Sequence, residues 1–115
     1  MPFRLIFRVI FFVVLLVMFN PKLSAQFIQQ GPKLRGTGAE GIAQQGNAIA
    51  ISADGNTAIV GGRIDNGYAG AAWVFTRSAG VWSQQGTKLS GSGGIGTSYQ
   101  GFSVAISSDG NTAVV

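Results

Sequence analysis

The sequence predicts an all-β protein made of repeated four-stranded antiparallel units, preceded by a helical signal peptide. Three observations predict it. The chain of 115 residues states one phrase twice, "ISADGNTAIV" from Ile51 to Val60 and "ISSDGNTAVV" from Ile106 to Val115. Short apolar runs alternate with turns centred on Gly, Asp and Asn, which is the composition of hairpins. The opening "MPFRLIFRVIFFVVLLVMFNPKLSAQ" is unlike everything that follows it.

That opening sets Arg4 and Arg8 before an apolar run from Val9 to Phe19, then Asn20-Pro21 and the small residues Ser24 and Ala25. The order is that of a secretory signal peptide over residues 1–25, cleaved after Ala25, with Leu23 bulkier than the residue usual at its place. A membrane span takes about 20 predominantly apolar residues. This run is shorter even when counted from Leu5, and it carries Arg8, so a retained anchor is the alternative reading. The expected location is secreted, extracellular or in the cell envelope, with no membrane attachment after cleavage.

Removal of residues 1–25 changes the electrostatic picture. The formal charge of +4 includes Arg4, Arg8 and Lys22. What remains is Lys33, Arg35, Arg63, Arg77 and Lys88 against Glu40, Asp54, Asp65 and Asp109. Five scattered cations form no patch able to displace counterions from phosphates, so nucleic acid is not an expected partner. The chain has no Cys, so an exported domain must hold together by packing alone. No N-x-[ST] acceptor is present.

The repeat has a fixed period. Gln84 follows Gln29, Gly101 follows Gly46 and Asp109 follows Asp54, each by 55 residues and without a gap. About three positions in five are identical from "QQGPKLRGTG" against "QQGTKLSGSG" onward. A period of this size denotes stacked supersecondary units. The expected organisation is a first repeat over 26–89 and the start of a second over 90–115.

Within one period four segments read as strands. Asn47 to Ser52 and Thr57 to Gly62 flank Asp54-Gly55, where Gly supplies positive φ and the carboxylate accepts a local backbone bond. Ala71 to Arg77 and Val81 to Leu89 flank Ser78-Ala79-Gly80. Gly67 to Gly70 and Ser90 to Gln100 are glycine-rich and read as loops. The result is a four-stranded antiparallel meander.

The first two strands, "AIAIS" and "TAIVGG", are nearly all apolar rather than alternating, which predicts cover on both faces. Successive blades of a β-propeller provide that cover. Ala48, Ala50 and Ala58 suit crowded inner strands, while Trp73 and Phe75 on one strand face and Trp82 further out supply bulk toward the rim.

On these residues the chain resembles a known family. "QGFSVAISSDGNTAVV" together with "GYAGAAWVFTR" is similar to the FG-GAP repeat of integrin-α-type β-propellers, in the variant found in exported microbial proteins. Gly46 and Gly101 stand where the Gly of the Phe-Gly pair belongs, with Gln45 and Gln100 in place of Phe. Gly61-Gly62-Arg63 stands for Gly-Ala-Pro. The resemblance implies a non-catalytic extracellular interaction module whose loops contact protein or glycan. The alternative is a scaffold for a secreted enzyme whose catalytic groups lie outside this chain.

Three chemistries are tested by spacing. Calcium requires six to eight oxygens, several charged. The implied loop places Ala50, Ser52 and Ala58 at three carboxylate positions, and Ala105, Ser107 and Ala113 in the second repeat, so no metal ligand set is assigned. "GTGAEG" and "GSGGIG" fit G-x-G-x-x-G, but "TSYQGFSVA" leads into a strand rather than a helix, so no cofactor site is assigned. With no His and no Cys, neither a Ser-His pair nor a thiolate can be assembled, and no catalytic residue is assigned.

The remaining charged and aromatic residues complete the expectations. Asp54 and Asp109 occupy the same turn in successive units, and Glu40 and Asp65 read as solvated loop residues without a partner. Tyr68 and Tyr99, in glycine-rich loops, are the candidate contact residues. Val115 corresponds to Val60, inside a strand of the second unit. A closed ring takes about seven blades. The chain is therefore expected to be the amino-terminal part of a larger propeller, completed by further blades in cis or by self-association.

Overall fold

The computed structural model describes residues 26–115; the expected signal peptide over 1–25 lies outside the described residues. Four strands, β1 (Ala48–Ile51), β2 (Thr57–Gly62), β3 (Ala71–Ser78) and β4 (Val81–Gln84), form one antiparallel sheet in the order β1-β2-β3-β4. A short helical turn, α1 (Asp65–Tyr68), joins β2 to β3. The second repeat contributes β5 (Ala105–Ile106) and β6 (Ala113–Val114), paired as an antiparallel two-stranded sheet.

The β1–β2 hairpin is shaped by side chains acting on their own backbone. The Ser52 hydroxyl donates to Asp54 Oδ1 at 2.6 Å, and the Asn56 N–H donates to the same oxygen at 2.9 Å. The Thr57 N–H donates to Ser52 Oγ at 3.1 Å, while Gly55 takes φ 71°. The second repeat reproduces this turn with Ser107, Asp109, Asn111 and Thr112 at 2.6, 3.0 and 3.0 Å. An Asx-type turn needs an acceptor at its head and a residue free to adopt positive φ, and Asp-Gly supplies both.

The core lies between β2, β3 and the chain preceding β1. Trp73, Ala71, Phe75 and Ala43 are its buried members, with Val60 and Trp82 packed against them. Trp73 is fully buried. Its indole ring is so close to Gly36 and Gly62 that a Cβ on either would overlap it, and its Nε1–H donates to the Thr37 carbonyl at 2.8 Å. Burying a Trp of this size is the largest single apolar contribution available to so small a sheet, and the indole hydrogen bond removes the polar penalty.

Three expectations are corrected here. β1 is not covered on both faces: Ile49 and Ile51 are exposed at 68% and 56%, because β5 reaches only one side of the sheet. The fourth strand is interrupted. After Gln84 the chain bulges at Gly86 (φ 69°), and pairing resumes as a single bridge in which Leu89 and Ala72 exchange hydrogen bonds of 2.8 and 2.9 Å. The Gly67–Gly70 loop begins within α1, where Asn66 and Gly67 adopt left-handed angles.

The two repeats touch through glycine. Gln100 bridges Gly70 in parallel, its N–H donating to the Ala69 carbonyl at 3.0 Å, and Gly101 is so close to Gly61 and Ala71 that a Cβ there would overlap backbone. Asn47 Nδ2 donates to the Gly101 carbonyl at 3.0 Å, and the Ala53 N–H donates to the Ser108 carbonyl at 3.0 Å. Glycine is required at these places because two backbones meet without room for a side chain.

Candidate functional site

The loops entering and leaving this inter-repeat contact carry the two tyrosines. Tyr68 closes α1 with φ 73°, and Tyr99 precedes Gln100 with φ 51°. Positive φ at a bulky residue costs about 1–3 kcal/mol and persists only where the surroundings impose it. Here the imposing contact is direct: the Tyr99 N–H donates to the Tyr68 carbonyl at 2.9 Å. The rings meet edge to face with centroids 5.6 Å apart and planes at 64°. Both side chains remain exposed, at 45% and 41%.

This is a small aromatic platform with two phenol groups. Among the described residues neither hydroxyl bonds to a protein group. Rigid Tyr side chains offer apolar area and a donor-acceptor tip at low entropic cost, which suits contact with a sugar ring or a peptide. Their position in glycine-rich loops was legible in the sequence; their adjacency was not, because Tyr68 and Tyr99 lie at unrelated points of the 55-residue period.

A second cluster gathers the charged residues. Asp65, expected as a solvated loop residue without a partner, is fully buried. Its Oδ1 accepts the Glu40 N–H at 2.7 Å, and its Oδ2 accepts Lys88 Nζ at 2.7 Å. Lys88 also donates to Glu40 Oε1 at 2.8 Å, so Glu40 has a partner as well. The Asp65 hydrogen bond, followed by that of Glu40, raises the Lys88 pKa above its ordinary 10.5. A permanently protonated ammonium with both neighbours saturated is a cross-link between segments. It has neither a free lone pair to attack with nor a proton to give at neutral pH.

Asp54 and Asp109 serve their turns. Their carboxyls lie below the ordinary 3.8, chiefly because Ser52 and Ser107 hydroxyls donate to the ionised form. Among the described residues no group of three or more His, Cys, Asp or Glu side chains could hold a metal ion. No helix among them is long and apolar enough to cross a membrane. Gly36 to Gly41 and Gly91 to Gly96, the two G-x-G-x-x-G runs, are non-helical.

Gln45 and Gln100, which replace Phe in the family pattern, have a function the sequence did not disclose. Gln45 Oε1 accepts the Gly36 N–H at 2.7 Å and its Nε2 donates to the Gly36 carbonyl at 2.8 Å. Gln100 makes the same double bond to Gly91. The primary amide thus imitates a strand and binds one residue of backbone on both of its polar groups. Shallow clefts of 550 and 530 Å³ lie beside these two contacts, lined in the first by Leu34, Gly36 and Gln45 and in the second by their counterparts Leu89, Gly91 and Gln100. Their recurrence makes them features of the repeat.

No family model, curated protein or solved structure matches the chain.

Proposed function

We propose that this protein is a non-catalytic extracellular interaction module, part of an FG-GAP-type β-propeller exported by the signal peptide at 1–25. The observation that carries the reading is the Tyr68–Tyr99 pair, which joins loops of consecutive repeats into one exposed, rigid contact surface. Ligand contacts concentrate on loops held by a rigid scaffold. A repeated sheet with its loops gathered at one end is such a scaffold.

The propeller reading is supported by a difference between equivalent residues. Gly101, Val104 and Ile106 in the second repeat are buried or half-buried against the first, whereas their counterparts Gly46, Ile49 and Ile51 are exposed. One sheet covers the next, and the first sheet retains a face of the same shape for a sheet before it. Apolar strands left open in this way invite pairing with a neighbour.

A binding screen against immobilised oligosaccharides and extracellular peptides tests the proposal. Binding that falls at least tenfold in both Tyr68→Ala and Tyr99→Ala supports it, and binding indifferent to both removes the tyrosine surface from the function. Export is tested separately: amino-terminal sequencing of the secreted product is expected to begin at Gln26.

A further inference from the structure

The amino-terminal segment Phe27–Leu34 aligns with Trp82–Leu89 at the same 55-residue spacing, "FIQQGPKL" against "WSQQGTKL". The likeness extends to conformation. Gly31 and Gly86 take φ 74° and 69°, and each accepts from the Gln two residues before it, Gln29 Nε2 at 2.7 Å and Gln84 Nε2 at 2.9 Å. The glutamine contacts at Gly36 and Gly91 then close both segments in the same way.

Their surroundings differ. Trp82–Leu89 lies along the edge of β3: Gln85 donates to the Val74 carbonyl at 2.7 Å, Leu89 pairs with Ala72, and Lys88 reaches buried Asp65. Phe27–Leu34 pairs with no strand among the described residues, and Lys33 makes no ion pair among them. Phe27 and Ile28 are exposed at 101% and 76%.

We propose that Phe27–Leu34 is a preformed outer strand that completes a sheet in another unit of the same repeat. It would add antiparallel to an edge equivalent to β3, with Lys33 meeting a buried carboxylate equivalent to Asp65. Strand addition of this kind draws affinity from main-chain bonds and specificity from alternate side chains. Charge argues for this occupant, since Lys33 repeats a cation whose only described role is to meet a buried Asp and its neighbouring Glu. Pro32 is compatible, because it replaces Thr87, whose N–H donates no backbone bond among the described residues. The β3 of a second intact copy is not the partner, because its own β4 holds that edge at the high effective concentration of a tether.

The inference rests on the repeat-array reading, and its test is separable from that reading. A fluorescent peptide of residues 26–36 is titrated against the full chain carrying Lys88→Glu and Leu89→Pro, which vacates the edge beside Asp65. Saturable binding, at least tenfold weaker for the peptide with Lys33→Glu and for the unmodified chain, is the expected result. Equal binding of the Lys33→Glu peptide, or no binding by an acceptor that keeps its sheet signal in circular dichroism, overturns the proposal. Should the acceptor unfold, Thr87→Pro in the otherwise native chain decides: a melting midpoint within about 3 °C of native supports a proline-bearing outer strand, and a fall beyond about 8 °C overturns it. A chain that buries Ile49 and Ile51 on assembly while the peptide fails to bind keeps the array and loses the strand donation.

Discussion

Lys88 donates its ammonium to Asp65 at 2.7 Å, and the acid it meets has lost all contact with solvent. The pair joins the end of the fourth strand to the connection between β2 and β3. It is the tie between elements that hydrophobic patterning alone does not specify.

Removing the cation strands a buried charge. Lys88→Met is expected to lower unfolding free energy by about 3 kcal/mol. Asp65→Asn is expected to cost less, since an amide oxygen still accepts the Glu40 N–H. Urea titration of the two single variants and the double variant checks the order, and the double is expected to fall short of the sum.

The same pair sets a response to alkali. A lysine whose pKa is raised in the folded state contributes stability that is complete below 10.5 and disappears as pH climbs through the raised value. Melting midpoints should therefore be level across neutral pH with respect to this pair and fall at the alkaline limit. Lys88→Met should lack that fall.

Acid acts on the two hairpin turns. The Asp54 and Asp109 pKa values are depressed, so their contribution is complete above 3.8 and is lost as pH drops through the depressed values. The Asp54→Asn, Asp109→Asn double variant keeps an acceptor for Ser52 and Ser107 but does not titrate. Its melting midpoint is expected to depend less on pH below 4 than that of the native chain.

Two glycines of equal sequence status should respond unequally. Gly46 and Gly101 both take positive φ, 96° and 80°, but only Gly101 faces backbone at close range. Gly46→Ala carries conformational strain alone, about 1 kcal/mol, whereas Gly101→Ala adds an overlap with Gly61 and Ala71 worth about 2 kcal/mol more. Denaturant midpoints of the two variants measure the difference.

Gln45→Ala removes both partners of the Gly36 peptide groups. Because Gly36 is buried against Trp73, their loss is expected to cost about 2 kcal/mol. Loosening of Trp73 should appear as a red-shifted fluorescence maximum.

How far the fold was legible depended on whether its cause was local. β2 was read with its bounds, because Asp54-Gly55 opens it and Gly61-Gly62 closes it, and both signals lie within the segment. The β1–β2 and β3–β4 hairpins and the burial of Trp73 and Phe75 followed from the same kind of signal. Asp65 and Lys88 stand 23 residues apart, with nothing nearby to mark either, so their pairing emerged only from tertiary structure. The exposure of Ile49 and Ile51 was misjudged because an apolar pattern records the environment a strand is suited to, which differs here from the one it has. Gln45 and Gln100 looked like departures from a pattern, since a side chain that substitutes for backbone has no periodicity of its own.

The Ser52–Thr57 turn has one further consequence. Every bond within it spans no more than 5 residues, so closing it gives up little chain entropy. Such a turn can assemble while the rest of the polypeptide is still searching, and the β1–β2 pairing then zips outward from it. Since Ser107–Thr112 repeats the device, each unit carries its own starting point for folding, and growth of the array need not wait for a distant nucleus.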